Sequence, residues 1–157
     1  MKKLILLAAL AVSALITNAQ SEGPELGVRF GGGFGANLNA IDGVLALGDV
    51  NRIHADLAFG NRIIALDGLY EWQFDIGENF IVYPGVGGGF YHWSGYDAGP
   101  FVRVPSYTSI AVVGVIGIEY VIEAVPISVG LDFRPSIGLT NSVGYGSGWG
   151  LMARYRF

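Results

Sequence analysis

The stretch Gly148–Phe157, which reads Gly-Trp-Gly-Leu-Met-Ala-Arg-Tyr-Arg-Phe, alternates between two kinds of residue. One parity carries the apolar side chains, namely Trp149, Leu151, Ala153, Tyr155 and Phe157. The other parity carries Gly150, Met152, Arg154 and Arg156. A period of two is that of an extended chain, whose side chains point alternately to opposite faces. The stretch therefore predicts a β-strand with one apolar face and one face that holds charge.

The same alternation recurs along the chain and predicts eight strands. The seven before the final one span 26–32, 36–45, 51–60, 63–74, 79–93, 108–122 and 127–139. In the second strand, polar residues interrupt the pattern and Gly43 suggests a β-bulge. Turn-forming residues predict two longer loops, from about Ser94 to Ser106 and from Thr140 to Ser147.

Residues 1–19 have the pattern of a cleavable signal peptide. Lys2 and Lys3 precede an apolar run from Leu4 to Ile16, and a small residue, Ala19, ends the segment. The run is shorter than the roughly 20 residues that a membrane-spanning helix needs. We therefore expect an exported chain with one domain, residues 20–157.

Composition narrows the function classes. Beyond residue 19 all seven basic residues are arginine, against 13 acidic residues in the whole sequence, and there is no cysteine. A net acidic chain without a basic patch argues against nucleic-acid binding. Without cysteine, no disulfide can stabilise the exported domain. The planar guanidinium group of arginine can donate two parallel hydrogen bonds to one carboxylate. Arginine therefore suits ion pairs inside an enclosed interior.

An exported chain with one apolar face on nearly every strand favours a closed barrel in a membrane, because lipid wets the outside while polar groups lie inside. The fold class predicted is all-β, an eight-stranded antiparallel up-and-down transmembrane β-barrel. The charged side chains expected on the inward face are Arg29, Asp56, Asp67, Glu71, Glu119, Asp132, Arg134, Arg154 and Arg156. They predict a structural ion-pair network, with a proton or ion path as the alternative.

The chain resembles small outer-membrane β-barrel proteins of the OmpA-like or porin-like class, especially the short standalone type of the Bacteroidota. The segments that carry the resemblance are 27–31, 51–57, 68–74, 117–120, 131–135 and 154–157. It implies an integral outer-membrane protein with a structural or porin-like role, a largely plugged polar interior, no enzymatic activity and no cofactor. The partners it implies are outer-membrane lipid and the barrel-assembly machinery, which would read the strand ending in Phe157; we expect a monomer.

Two other function classes stay open. The first is a lipid-A-modifying barrel enzyme, for which His92 and Ser94 at a predicted rim are the candidate base and nucleophile. A belt of amphipathic rings, Tyr91 to Trp93, explains the same residues without catalysis, so we predict no catalytic residue. The second class is a secreted lipocalin-like barrel, whose apolar side chains would converge on a ligand cavity.

The remaining motifs carry little chemistry. His54 with Asp56 is expected to be a satisfied pair inside the barrel. The two histidines are far apart in sequence and no cysteine is present, so no metal-ligand spacing occurs. The glycine runs near residues 31–35 and 85–89 lack the Gly-Lys-Ser/Thr ending of a phosphate loop. The inward or outward placement of Trp72, Tyr120 and Tyr155 separates the membrane barrel from the lipocalin-like one.

Overall fold

Alternating sequences of β-branched and aromatic residues form long strands in the computed structural model, which describes residues 23–33, 36–99, 101–140 and 144–157. The strands are β1 (Glu25–Gly33), β2 (Ala36–Ala46), β3 (Asn51–Gly60), β4 (Ile63–Trp72), β5 (Phe74–Gly77), β6 (Phe80–Trp93), β7 (Tyr96–Gly99), β8 (Val102–Val104), β9 (Tyr107–Ile122), β10 (Ile127–Gly138) and β11 (Tyr145–Arg156). The predicted signal peptide lies outside the described residues. Within them, no helix is both long and apolar enough to cross a bilayer.

The sheet closes on itself. Within the described ranges, eight strands form the barrel wall, and the order β4-β3-β2-β1-β11-β10-β9-β6 is completed by pairing of β4 with β6. Every pairing is antiparallel, and β1 pairs with β11. A closed ladder leaves no unpaired edge along the wall. The predicted fold class, an eight-stranded antiparallel up-and-down barrel, is confirmed.

The sheet is irregular at a different place from the one predicted. The pairing of β2 with β1 and β3 runs through Gly43 without a shift, so the predicted bulge there is wrong. Asp42 and Val44 are both buried, which an inserted residue between them would prevent. In the barrel sheet, a register shift occurs instead between Asp75 and Gly77, where β5 continues the line of β4 along β6.

Both predicted loops contain more strand than expected. The first, Ser94 to Ser106, includes the hairpin of β7 and β8, in which Tyr96 pairs with Val104. The second is shortened because β11 begins at Tyr145, which pairs with Ile137. Glycine and serine at 146 and 147 indicate a turn locally, but pairing with β10 extends the strand.

The barrel has two distinguishable ends. The terminal end carries Glu25, Arg156 and the connections after β2, β5 and β9. The hairpin end carries the β3–β4 turn, the β7–β8 hairpin and the connection between β10 and β11. These two names are used below.

Candidate functional site: the barrel interior and its rim

The apolar parity of the strands faces outward. Trp72, Tyr120 and Tyr155 are 39%, 38% and 48% exposed on the outer surface. Residues of the opposite parity, such as Asp132 and Arg154, are buried at 1% exposure. This orientation excludes the lipocalin-like alternative, in which these aromatic rings would surround an internal cavity.

Aromatic side chains ring the outside at both ends. At the terminal end, three pairs of rings lie 4.8 to 5.2 Å apart: Tyr70 with Trp72, Phe80 with Tyr120, and Tyr155 with Phe157. At the hairpin end, Phe59 and Tyr145 are 46% and 84% exposed on the outer face. The belt predicted for Tyr91 to Trp93 is wrong, because Tyr91 is buried at 1% exposure and Trp93, stacked on Tyr107 at 4.4 Å, packs against buried interior residues. Between these ends the wall exposes aliphatic residues, among them Ile41, Leu57, Leu66, Ile116, Leu131 and Leu151. An apolar band between aromatic girdles is typical of barrels that span a membrane.

The charged side chains meet inside the barrel. Arg29 of β1 reaches across β11 to Asp132 of β10, with Nη2 2.6 Å and Nε 3.0 Å from the carboxylate oxygens. Gly150 lies on β11 between the two partners, and a Cβ there would come within 2.3 Å of the Arg29 guanidinium. Arg134 also contacts Asp132, at 2.8 Å, and hydrogen-bonds Asp56. Glycine thus provides the space for an ion pair that crosses a strand.

A second group of pairs lies nearer the terminal end. Arg154 donates to Asp42 and, through Nη1 at 3.0 Å, to Glu119. Arg52 donates to Glu71 at 2.7 Å and to the same oxygen of Glu119 at 3.1 Å. Glu119 of β9 therefore joins arginines from β3 and β11, which are not neighbouring strands, so that the pairs form one network.

His54 lies between three carboxylates. Its Nδ1 is 2.7 Å from Glu71, and its Nε2 is 3.0 Å from Asp42 and 3.4 Å from Asp56. The predicted pair of His54 with Asp56 is present, but Glu71 and Asp42 are the closer partners. A carboxylate accepts hydrogen bonds, so an imidazole between carboxylates donates from both nitrogens and carries a positive charge.

Three aspartates occupy directly opposed positions on neighbouring strands. Asp42 of β2 pairs in register with Asp56 of β3, which pairs with Asp67 of β4. Like charges directly opposite destabilise a sheet. The cations that offset this repulsion are Arg154 at Asp42, Arg134 at Asp56 and Asp67, and His54.

Two residues further along each strand toward the hairpin end, the inward face becomes apolar. Ala40, Ala58 and Ala65 are opposed in register, and Ala65 pairs with Tyr91. All four are at most 6% exposed, and the Tyr91 hydroxyl donates to Asp67 at 2.7 Å. The same buried cluster includes Leu38, Ile63, Ala111 and Val113. The interior is therefore a charged layer covered by an apolar layer.

One group of interior residues has the composition of a metal site. The ligand atoms of Asp42, His54 and Asp56 lie within 4.8 Å of one another. Both carboxylates are already paired with arginines, and the histidine nitrogen that faces them is hydrogen-bonded. We assign these residues to the ion-pair network.

The candidate catalytic pair is not assembled. His92 Nδ1 lies 2.9 Å from the Thr108 hydroxyl on the neighbouring strand. The backbone N–H of Ser94 donates to the carbonyl of Arg62. Within the described residues, His92 and Ser94 share no hydrogen bond.

The sequence prediction of the network was correct but incomplete. The predicted interior charges lie in it, with Arg156 at the terminal rim, 3.2 Å from Glu25. Glu25, Asp42 and Arg52 were not among the predicted interior charges. Asp42 sits in the second strand, where polar residues interrupt the sequence pattern. Counting every second residue from Ala36 would have placed Asp42 on the inward face.

The sequence matches no protein-family model and no characterised protein in a sequence comparison. Among solved structures, the N-terminal β-barrel domain of Pseudomonas aeruginosa OprF is similar, with a TM-score of 0.72 and 12% identity. The match covers 85% of this chain and 96% of that chain. Ail, the attachment invasion locus protein of Yersinia pestis, matches over the same shares, with a TM-score of 0.47 and 15% identity.

The similarity to the OprF domain shows the fold alone. The exterior of the barrel gives a separate, physical argument for a location in a membrane. In lipid, a sheet is stable only if it closes and satisfies its own backbone groups. The closed ladder, the apolar band and the aromatic girdles support a location in the outer membrane. The chain therefore has the fold of a small OmpA-like outer-membrane barrel.

Proposed function

We propose that the protein is an integral outer-membrane barrel with a structural role and an interior that does not conduct solutes. The observation that carries this proposal is the two-layer interior, in which paired charges are covered by buried alanines and Tyr91. Eight strands enclose an interior just wide enough for side chains to fill. Both layers would have to open before a hydrated solute could pass.

Opening the charged layer would be costly. Arg154 and Arg52 share Glu119, and Arg134 joins Asp132 to Asp56. Opening a path for a solute through this layer would therefore break several ion pairs at once. Breaking a buried pair leaves an uncompensated charge, which costs about 3–5 kcal/mol. The apolar layer offers ions no replacement for their hydration shell.

Conductance of the purified barrel in a planar lipid bilayer tests the proposal. We expect no channel steps with the full chain, whereas a 16-stranded porin in the same bilayer, whose lumen is water-filled, gives a large conductance. Stable steps that scale with salt concentration would contradict the proposal and favour a porin-like role.

The location and assembly are tested in the cell. Cell fractionation is expected to recover the chain in the outer membrane, with faster electrophoretic migration of the unheated form. We propose a monomer whose closing strand β11, through Phe157, is recognised by the barrel-assembly machinery. Recovery in the soluble periplasmic fraction would contradict this location.

We propose no enzymatic activity. His92 at the rim is hydrogen-bonded to Thr108 and, within the described residues, shares no hydrogen bond with Ser94. Replacing His92 or Ser94 with alanine should leave the lipid A of the cell unchanged by mass spectrometry. A loss of one lipid A species in either variant would instead favour the enzyme.

A further inference from the structure

Arg62 occupies a backbone conformation that arginine rarely adopts. Its φ is 64°, in the two-residue turn between Gly60 and Ile63 that joins β3 to β4. Glycine or asparagine is the usual residue at such a position, because a Cβ adds strain there. The backbone is held in place, since the Arg62 carbonyl accepts a 2.8 Å hydrogen bond from Ser94 N–H. Strained positions of this kind concentrate at functional sites.

The side chain of Arg62 is held in place as well. Its guanidinium carbon lies 4.0 Å from the centre of the Tyr96 ring on β7, a cation–π contact. The other arginines of the described chain all form ion pairs with carboxylates. Arg62 forms no such pair within the described residues. It is an ordered, exposed cation whose charge is not neutralised.

The hairpin that carries Tyr96 also exposes apolar residues. At its tip, Phe101 is 97% exposed and Val102 is 58% exposed. Tyr96 itself is 42% exposed, and amphipathic rings of this kind sit at the level of lipid headgroups. A cation held over such a ring, on a hairpin with an exposed apolar tip, matches a lipid headgroup better than a free ion.

The two ends of the barrel differ in charge. Among the described residues outside the interior, the hairpin end carries Arg62 and an Asp97–Arg103 pair. The terminal end carries four acids, Asp49, Asp75, Glu78 and Glu123. An anionic leaflet is therefore attracted to the hairpin end and repelled by the terminal end.

We propose that Arg62, held over the Tyr96 ring, binds the phosphate group of an anionic lipid in the leaflet at the hairpin end. Its guanidinium forms no ion pair with a carboxylate of the described residues, so its N–H groups stay free to donate two hydrogen bonds to phosphate oxygens. The inference goes beyond the structural role proposed above and rests on the barrel being embedded in a membrane.

Lipid retention by the folded full chain tests this inference. The barrel is reconstituted in phosphatidylcholine containing a minor share of phosphatidic acid, extracted, and its bound lipid measured by native mass spectrometry. We expect the wild type to retain phosphatidic acid above its bulk share. Arg62→Gln should weaken this retention about tenfold, the effect of one lost charge-assisted contact. Arg62→Gly should do the same, and glycine fits the turn without strain.

Arg103→Gln is the matched control, because it removes a cation from the same end that is already paired with Asp97. It should change retention by less than about twofold. Equal losses in Arg62→Gln and Arg103→Gln would overturn the inference, since they would indicate attraction by net charge. Retention at the bulk share by the wild type would overturn it too, as would displacement of the lipid by inorganic phosphate. In each of these cases, insertion of the barrel into vesicles would still support its membrane role.

Discussion

The Nδ1 atom of His54 lies 2.7 Å from Oε1 of Glu71, across the pair of strands β3 and β4. The other ring nitrogen lies 3.0 Å from Asp42, closer than either Arg154 or Arg134, which approach it at 3.3 and 3.4 Å. His54 is therefore a buried cation between acids, and the interior depends on it for charge balance.

Replacing His54 with alanine should destabilise the barrel strongly. Glu71, Asp42 and Asp56 would each lose a cationic partner, and breaking such buried pairs costs about 3–5 kcal/mol. Urea unfolding, followed by the mobility shift of the unheated protein, measures the loss. His92→Ala is the control, because that histidine lies at the rim and should change the midpoint little. Equal midpoints for the two variants would contradict a central role for His54.

Arginine substitutions should separate interior pairs from surface pairs. Arg154→Gln leaves Asp42 and Glu119 short of a partner, and we expect a loss of about 3–5 kcal/mol in the free energy of unfolding. Arg103→Gln removes the exposed pair with Asp97, whose atoms are 3.8 Å apart, and should cost about 0–1 kcal/mol. Denaturant titration of both variants gives the comparison. A large loss in Arg103→Gln alone would reverse this assignment.

Glycine substitutions should show how tightly the interior is filled. A Cβ at Gly117 would lie 2.3 Å from the ring of Tyr83, which is fully buried with the Arg52 guanidinium 4.2 Å from the ring centre. Gly117→Ala should therefore cost about 1–3 kcal/mol through overpacking. Gly68→Ala meets nothing within 4 Å and should be close to neutral. Thermal unfolding of the two variants measures the difference. A lower unfolding temperature for Gly117→Ala alone indicates a filled interior, whereas no change in either variant would indicate a loosely packed one.

A charge on the outer wall should be costly only in the apolar band. Ile116 lies near the middle of β9 and is 55% exposed, so Ile116→Arg places a cation in lipid at a cost of about 2–4 kcal/mol. Phe101→Arg at the hairpin tip should cost little. Refolding equilibria in lipid vesicles measure both variants. A neutral Ile116→Arg would mean that this wall faces water.

The division of each strand into an outward and an inward set of side chains was predictable, because it depends only on the alternation of neighbouring residues. In the final strand, Trp149, Leu151 and Tyr155 are exposed as predicted, and Arg154 is buried. The number of barrel strands followed from counting alternating segments. Each of these inferences needs only neighbours a few residues apart.

Partners distant in sequence were not predictable in this way. Asp42 meets Arg154, 112 residues later, and Arg29 meets Asp132 at a separation of 103. These pairs depend on the stagger of the strands around the closed barrel, which no single segment specifies. The contact of Arg62 with Tyr96 likewise requires that the β3–β4 turn and the β7–β8 hairpin meet at one end.

The sequence by itself determined that each strand has an apolar face and a polar face, because the extended chain turns successive side chains to opposite sides. Only the tertiary structure decided which face is enclosed and how the enclosed groups are layered. Closure of β1 onto β11 and of β4 onto β6 places the arginines and carboxylates inside, where they must pair, and leaves the aromatic rings outside.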